Sequence, residues 1–501
     1  MKILSVLVIV GFYSFASFSA VRADTAYPGF GRDAQHTALS TVAAQPLQRI
    51  VWQTPVDLQP QFSGNDLLIH YGSPIVTPAN TVIVPVKTGA ADGFEVQGRA
   101  GSDGTLLWTQ TTDYTLPAHN WTPSYSPTLT PQGRLYFAGA GGTLYYRDNL
   151  DTPGSVIANQ VAFVGLGKYQ NAKSKYDAAV RVNTPLTSDA NGNIYFGFLV
   201  SGKAPNKLKS GLARIDASGN GRYVSIGSAT GRRAASVVMN CAPALSNDGA
   251  TVYFLANGGT SPCLVALNST TLSTTATVVL RDPRSGNPSS LPDDGTASPT
   301  VGPDGRVYVG VLESPRSTYK GWLLQFNADL SRTGSLVPGA FGWDFTASIV
   351  PAPNVPSYTG SSSYLLMSKY NNYIAGGGDG RNEIAILDPN NSQVDSRTGV
   401  TVMKEVLTIA GPTPDAEHPA QSGAVREWCI NTAAVDPFTH AVLANSEDGR
   451  LYRWDLTTNT FTESITLTAG VGEAYTPTIV GADGKVYAIN NATLFAVGAN
   501  P

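Results

Sequence analysis

The segment Pro127-Thr-Leu-Thr-Pro-Gln-Gly133-Arg-Leu-Tyr136 indicates the architecture of the chain, because its pattern recurs along the sequence. In each copy a Pro precedes a short apolar segment, a turn ends in Gly, and an apolar residue and a Tyr follow. Copies with the same internal spacing, to within one residue, begin at Pro185, Pro243, Pro299 and Pro477. Weaker copies begin at Pro74, near Ile349 and near Ala433. A unit that recurs roughly every 50 residues is typical of propellers and solenoids.

Each copy has the pattern of β-strands rather than helices. The pairs Asn191-Gly192, Asp248-Gly249, Asp304-Gly305 and Asp483-Gly484 predict tight turns, because Asn, Asp and Gly tolerate a positive φ. The first strand precedes the turn and the second carries the Tyr. Third strands are predicted at Leu212–Asp216, Leu264–Asn268, Ile384–Asp388 and Leu451–Asp455, and looser fourth strands at Thr401–Val406 and Phe461–Ile465. Four antiparallel strands in about 50 residues make one propeller blade.

The eight copies predict an all-β chain that forms a single eight-bladed β-propeller of four-stranded antiparallel blades. Seven blades are the alternative, if the copy near Ile349 and the strand Ile384–Asp388 belong to a neighbouring blade. The last unit, residues 476–497, supplies only three strands, whereas Arg49–Thr54 is a strand without a blade. We therefore expect Arg49–Thr54 to be the outermost strand of the last blade, which leaves no open edge between the first and last blades.

Composition excludes several classes of protein. The chain has 501 residues, 14% of them charged, and a net charge of −3. It lacks the basic surface of a nucleic-acid-binding protein and the abundant charge of a long-helix protein. The three cysteines leave two interpretations open: a disulfide between Cys241 and Cys263, or three buried thiols including Cys429.

The N-terminus predicts export. Lys2 precedes the apolar run Ile3–Phe18, and Val21-Arg22-Ala23 offers small residues at a cleavage site, so residues 1–23 are interpreted as a signal peptide. A leader segment follows at 24–48 and the propeller at 49–501. No later stretch approaches the roughly 20 apolar residues of a membrane-spanning helix. We expect a periplasmic or extracellular monomer without a membrane span.

The repeats resemble the PQQ-like repeats of quinoprotein alcohol dehydrogenases and of outer-membrane assembly propellers. The resemblance is carried by Gly104-Thr-Leu-Leu-Trp108 and by the recurring Pro…Gly-x-apolar-Tyr, and it spans residues 28–499. The segment Phe30–Ser40, followed by Ile50-Val-Trp52, is similar to the leader of exported bacterial members. The resemblance implies the propeller fold and, in its dehydrogenase branch, PQQ and calcium as cofactors. The vicinal cysteine pair of that branch is absent here, and most copies lack its full repeat signature.

The candidate site lies in the mouth loops, which we define as the loops that precede the innermost strands. In a propeller these loops converge at one end of the central channel. Their candidate ligand-binding residues are His70, Tyr71, Trp121, Arg181, Asn183, Asn240, Trp343, Asp344, Glu427, Trp428, Asn431, Glu473 and Tyr475. Asp344 and Glu427 are also the candidates for catalysis, and with Asn431 they are candidate calcium ligands. A solvated, tightly curved channel mouth is polar and aromatic even without a ligand. The alternative that these residues bind no ligand therefore stays open.

The absence of the cofactor signatures favours a binding or scaffolding module without enzymatic activity. Its ligand or partner, a protein, a polar small molecule or a glycan, would dock at the channel mouth, and no cofactor or metal is expected. The alternative is a dehydrogenase of alcohols or sugars that depends on PQQ and calcium. A third class, a lyase or glycosidase, would use Asp344 and Glu427 as its acid pair.

Overall fold

The computed structural model describes residues 27–64, 66–90, 92–119, 121–156, 158–232, 235–258, 261–292, 297–332, 336–469 and 474–501. The predicted signal peptide and Glu473 lie outside these ranges. Among the helices within them, none combines the length and apolar character needed to cross a membrane.

Eight antiparallel sheets follow one another along the chain and form the eight blades of a propeller. Their strands, ordered from the channel outward, are Ile75–Val76, Thr81–Lys87, Asp92–Ala100 and Leu106–Thr115 in blade 1; Thr128–Leu129, Leu135–Ala138, Thr143–Arg147 and Asn159–Ala162 in blade 2; Thr187–Ser188, Ile194–Val200, Gly211–Ile215 and Gly221–Ser225 in blade 3; Ala244–Leu245, Thr251–Gly258, Ser261–Asn268 and Thr274–Val279 in blade 4; Thr300–Val301, Val307–Val311 and Trp322–Phe326 in blade 5; Ser348–Pro351, Tyr364–Tyr370, Glu383–Val394 and Thr401–Ala410 in blade 6; Ala434–Asp436, Ala441–Asn445, Arg450–Asp455 and Thr460–Thr466 in blade 7; and Ile479–Val480, Val486–Asn490, Thr493–Gly498 and Arg49–Pro55 in blade 8.

The number of blades is eight, as predicted, and the seven-bladed alternative is wrong. Ser348–Pro351 and Glu383–Val394 both pair with Tyr364–Tyr370, so they belong to one blade. Blade 5 departs from the predicted four strands. Its outer position, within the described residues, is reduced to a single bridge between Leu323 and Gly339. Pro338 has no N–H to donate and Gly339 packs poorly in a sheet, so this segment does not extend into a ladder.

A few elements lie outside the blade pattern. Val180–Val182 and Ala235–Val237 pair with the far ends of the second strands of blades 3 and 4. Phe62–Ser63 and Asp66–Leu67 form a small hairpin between the strand Arg49–Pro55 and blade 1. The helices are short: Leu166–Gln170, Lys173–Ala179 and Ile226–Thr230, with 3-10 turns at Ala140–Gly142, Pro205–Lys207, Ala352–Asn354 and Ile374–Gly376.

The recurring Gly and Tyr have the roles that the sequence pattern predicts. Gly133 and Gly305 have φ values of 80° and 84°, which the turn after the innermost strand requires and which an L side chain rarely adopts. Where the second strand carries the recurring Tyr, as at Tyr136 and Tyr308, that side chain is buried. Some of these hydroxyls find partners in the neighbouring blade: the Tyr308 and Tyr364 hydroxyls lie 2.6 Å apart, and the Tyr253 hydroxyl donates to the Ala328 carbonyl at 2.8 Å. The repeat therefore encodes both the turn and the packing between blades.

The ring closes as the strand count predicts. Arg49–Pro55 pairs antiparallel with Thr493–Gly498, with Ile50 opposite Val497 and Trp52 opposite Ala496. The Trp52 indole N–H donates to the Gly101 carbonyl in blade 1 at 3.1 Å, so the closing strand also contacts the next blade. The first and last blades are held together by this hydrogen bonding and packing, since they lie at opposite ends of the chain.

The described part of the leader, residues 27–48, covers one end of the channel, which the sequence did not predict. Its backbone carbonyls accept N–H bonds from the second residue of six innermost strands: Val76, Leu129, Leu245, Val301, Ile349 and Val435. These residues adjoin the turns that follow the innermost strands, at the opposite end from the mouth loops. Ala44 and Leu47 then pack between blades 7 and 8 before the closing strand begins. The channel is therefore covered at the turn end.

The interpretation of the cysteines as buried thiols agrees with the structure, and the predicted disulfide is not formed. Cys263 lies in the third strand of blade 4 and packs with Val252 and Phe254 on one face of the sheet. Cys241 packs with Tyr253 and Leu255, which belong to the opposite face. Because neighbouring residues of a strand alternate between faces, the sheet separates the two sulfur atoms.

Candidate functional site

Three mouth-loop residues hold backbone conformations that are uncommon for side-chain-bearing residues. The φ angles are 125° at His70, 65° at Asn240 and 56° at Asp344. Such conformations cost roughly 1–3 kcal/mol each and persist where the surrounding structure enforces them, often at functional sites. The loops at the mouth are thus held in defined shapes by the blades that they connect.

Aromatic rings from blades 8, 1 and 2 meet around His70. The centroid of the His70 ring lies 5.9 Å from that of Trp121 and 5.5 Å from that of Tyr475. Trp121 and Tyr475 are only partly buried. The three side chains come from three successive mouth loops, so only the closed ring brings them together.

Lys369 connects this aromatic group to Asp344. The Lys369 ammonium lies 5.2 Å from the centre of the Tyr475 ring and 5.6 Å from that of Phe341, within cation–π range. It also donates a hydrogen bond of 3.2 Å to the Asp344 carbonyl. Lys369 is 1% exposed, so its charge is held by these neighbours rather than by bulk water. One buried cation therefore lies beside residues from the mouth loops of blades 6 and 8.

Glu427 faces a second carboxyl and a thiol. The ligand atoms of Glu427, Cys429 and Glu447 all lie within 4.8 Å of one another. The Cys429 thiol donates to Glu447 Oε2 at 3.1 Å, and Arg426 donates to Glu447 Oε1 at 3.3 Å. Burial and the neighbouring Glu447 raise the pKa of Glu427 to about 8, against the opposing charge of Lys369. Burial likewise raises the pKa of Glu447 to about 7. Both groups can therefore exchange protons near neutral pH.

Tyr373 is a buried tyrosine near both candidate acids. Its ring centroid is 6.0 Å from that of Trp343, and Asn371 donates to its hydroxyl at 3.2 Å. Burial raises the pKa of Tyr373 well above its ordinary value, and the charges of Glu427 and Asp344 add to the effect. Asp344 and Glu427 thus both lie close enough to this buried hydroxyl for their charges to act on it.

Other predicted residues hold the loops in place. Ser124 N–H donates to Asn240 Oδ1 at 2.7 Å, and Asn240 N–H donates to the Asn183 carbonyl at 3.0 Å, so the two asparagines tie together the loops of blades 2, 3 and 4. The Asn431 side-chain oxygen accepts the Thr432 hydroxyl at 2.7 Å. Arg181 donates to the Val180 carbonyl at 3.0 Å and to the Asp177 carbonyl. These polar groups have structural partners within the loops.

Two predicted residues are turned away from the mouth. Trp428 is fully buried between blades 6 and 7, where it packs edge-on against Tyr452, so its ring is a core element that no ligand can touch. Tyr71 is also buried, and its hydroxyl donates to Asp57 at 2.9 Å. Asp57 accepts in turn from Lys87 at 2.7 Å. Tyr71 therefore belongs to a buried polar group behind the closing strand.

The sequence reasoning missed Lys369, Tyr373, Asn371 and Glu447. None of them lies in a mouth loop: Lys369 lies near the end of the second strand of blade 6, and Glu447 follows the second strand of blade 7. A signal was present at Lys369, because a lysine in the buried run Tyr364–Tyr370 is rare unless its charge has partners. The loops that follow the second strands open at the same end of the channel as the mouth loops.

Comparison with known proteins supports the fold. No family model matches the chain, and no curated protein matches it. Among solved structures, a europium-containing methanol dehydrogenase is 12% identical, covering 93% of this chain and 90% of that one, with a TM-score of 0.53. The two chains share their fold. This result confirms the resemblance to PQQ-like propellers at the level of the fold. At 12% identity the similarity does not show that the two proteins share an activity.

Two further similarities are weaker. BamB from Moraxella catarrhalis is 12% identical, covers 90% of this chain and 98% of that one, and has a TM-score of 0.45. The computationally designed Ika8 protein is 13% identical, covers 91% of this chain and 100% of that one, and has a TM-score of 0.47. Both TM-scores are too low to support an argument about this chain.

Proposed function

We propose that the protein is an exported binding module that takes a polar, sugar-like ligand at the channel mouth. One observation carries the proposal: the leader covers the turn end of the channel, while the other end gathers Lys369, Asp344 and Glu427 beside aromatic rings. A channel covered at one end presents a pocket rather than a passage. The signal-peptide pattern supports a location outside the cytoplasm.

The chemistry of the mouth suits a polyhydroxylated ligand. Partly exposed rings such as Trp121 and Tyr475 offer flat faces to the C–H surface of a sugar ring, while the charged groups can bond its hydroxyls. A protonated Glu427 donates and an ionised one accepts, so its raised pKa lets it serve either role near neutral pH. A glycan is therefore favoured over a strongly charged ligand.

The test is calorimetric titration of the purified protein with a panel of neutral and acidic oligosaccharides. We expect saturable binding to at least one class, weakened roughly tenfold by Tyr475→Ala, a loss of about 1.4 kcal/mol. The matched control is Tyr223→Ala, since Tyr223 is 43% exposed on the outer strand of blade 3. Equal affinity of both variants, or no binding across the panel, would reject the proposed site.

The second candidate function is a dehydrogenase of alcohols or sugars with PQQ and calcium. It is favoured by the fold shared with a methanol dehydrogenase and by Glu427, a carboxyl able to accept a proton near neutral pH. The donor set fits calcium poorly, because Asn431 is 2% exposed and its side-chain oxygen accepts from Thr432. That oxygen is already engaged within its own loop, which ranks the dehydrogenase below the binding module.

A titration separates the two candidates. The protein is mixed with PQQ and calcium and assayed with an artificial electron acceptor over alcohols and sugars. The binding-module proposal expects neither saturable quinone binding nor reduction of the acceptor. If both occur, and Glu427→Gln abolishes the reduction, the dehydrogenase replaces the binding module.

A further inference from the structure

Blades 3 and 8 are left out of the backbone hydrogen bonds between the leader and the innermost strands; the leader meets blade 8 at the next turn instead, where the Gln45 N–H donates to the Gly484 carbonyl at 2.7 Å. In blades 1, 2, 4, 5, 6 and 7 the second residue of the innermost strand donates its N–H to a leader carbonyl; the acceptors are Tyr27, Pro28, Ala34, Gln35, Thr37 and Ala38. Ser188 occupies the same ladder position in blade 3, opposite Ile194. Across the described leader, residues 27–48, no backbone carbonyl accepts from the Ser188 N–H. The leader instead turns back on itself, with the Arg32 N–H donating to the Gly29 carbonyl.

A cavity of about 490 Å³ lies between the leader and the innermost strand of blade 3. Leader residues 28–35 form one wall, and the turns after the innermost strands of blades 2, 3 and 4 form the others. Apolar side chains line much of it, among them Phe30, Pro131 and Leu186. Its volume falls within the range of about 300–1,000 Å³ that is usual for ligand pockets. It lies at the turn end, so it is separate from the channel mouth.

The charge of the lining favours a basic group. Three carboxylates, Asp33, Asp189 and Asp248, line the cavity against one guanidinium, that of Arg32. Arg32 donates to Asp33 at 3.2 Å. Asp189 is 7% exposed and accepts from Asn191, Asn193 and Tyr195. Asp248 accepts from the Ser246 hydroxyl and the Ala250 N–H through Oδ1. Its other oxygen, Oδ2, can therefore receive a cation at the rim.

We propose that this cavity binds an extended peptide segment of a partner protein that carries a lysine or arginine. A backbone carbonyl of the peptide accepts the Ser188 N–H, as leader carbonyls do in six other blades. The basic side chain lies beside Asp248, and the apolar side chains contact Phe30 and Leu186. The leader demonstrates the mode, because it is itself an extended segment bound along the same ring of strands.

The experiment uses methyl NMR of the full mature protein labelled at its alanines. Ala34 and Ala190 line the cavity, and Ala474 in the mouth loop of blade 8 reports on the other end. The probes are two blocked tetrapeptides, acetyl-Val-Lys-Val-Ala-amide and the same peptide with Glu in place of Lys. We expect saturable shifts of the Ala34 and Ala190 methyl signals with the Lys peptide only, and a fixed Ala474 signal.

Two variants test the placement. Ala190→Trp fills the cavity from its exposed rim and should abolish the shift at Ala34, whereas Ala217→Trp, at a turn of the same blade, should leave it intact. Asp248→Asn should weaken binding of the Lys peptide several-fold. The proposal is overturned if the Lys peptide causes no saturable shift at millimolar concentration. It is equally overturned if both peptides bind alike, or if only Ala474 responds.

Discussion

At the scale of single residues, Glu427 and Glu447 couple the channel mouth to pH. Their pKa values rise to about 8 and about 7 in the folded protein, from an ordinary value of 4.5. Between pH 4.5 and about pH 8 the unfolded chain binds fewer protons at these two carboxyls than the folded chain does. The free energy of unfolding therefore falls as the pH rises from 4.5 to about 8. The folded protein is therefore more stable when these two carboxyls at the mouth are protonated than when they are ionised.

The variant Glu427→Gln should remove much of this pH dependence. We expect its free energy of unfolding to exceed that of the wild type by about 1–2 kcal/mol at pH 8.5 and to match it at pH 4.5, because the amide stays neutral. Denaturant unfolding at both pH values measures the difference. Glu95→Gln, in the third strand of blade 1, serves as the control. Parallel pH profiles for the wild type and Glu427→Gln would contradict the account.

A second residue-scale prediction concerns the buried ion pair behind the closing strand. Lys87 Nζ lies 2.7 Å from Asp57 Oδ1, and the two side chains are 1% and 0% exposed. Asp57→Asn should cost about 3–5 kcal/mol, since it leaves the Lys87 ammonium buried without its counter-charge. Adding Lys87→Met should recover a large part of that loss. Thermal unfolding of both variants shows which is the more stable. A double variant that is less stable than Asp57→Asn alone would contradict the prediction.

At the scale of elements, the turns after the innermost strands depend on glycine. Gly133 has a φ of 80°, and a Cβ built there would meet no atom within 4 Å, so only backbone strain opposes a side chain. Gly133→Ala should therefore destabilise the fold by about 1 kcal/mol. Gly167 is the matched control: it lies in the helix Leu166–Gln170, with equally open space and no left-handed φ, and Gly167→Ala should be neutral or stabilising. Equal midpoints in thermal scans would argue against strain at Gly133.

The sequence predicts elements that repeat and misses those that do not. The Gly and Tyr of the repeat, such as Gly305 and Tyr308, recur at nearly fixed spacing, so the strands and turns can be predicted from this pattern. The closing strand can be predicted from the count of strands. Lys369 lies on a strand whose spacing from its mouth loop is irregular, and only the curvature of the ring brings it to Tyr475. Trp428 is buried in the core although the loop pattern placed it at the mouth, because a loop pattern does not tell which face of the chain turns toward the core. The path of the leader depends on backbone hydrogen bonds, which any residue type can form, so the sequence does not reveal it.

At the scale of the whole molecule, the leader and the closing strand hold the ring together. Deleting residues 24–56 removes the outer strand of blade 8 and the leader contacts to seven blades. We expect a sharply lower thermal midpoint or aggregated protein, because the strand Thr493–Gly498 is left as an open edge. Calorimetry and size-exclusion chromatography measure both outcomes.

A shorter deletion, of residues 24–48, separates the two contributions. It keeps the closing strand and removes the leader, so its midpoint should lie between those of the wild type and the longer deletion. An unchanged midpoint in the longer deletion would show that the ring does not depend on its closing strand.

The closing strand also fixes when the molecule can be completed during synthesis. Arg49 leaves the ribosome early, yet its side chain donates to the carbonyl of Ala499, 450 residues later. Blades 1 to 7 can each pair their strands as they emerge, but the last blade has no outer strand until the beginning of the chain returns to it. Closure of the ring therefore waits for synthesis of the strand Thr493–Gly498: a chain halted before Thr493 keeps Arg49–Pro55 unpaired, and exposed strands of this kind are recognised by chaperones and proteases.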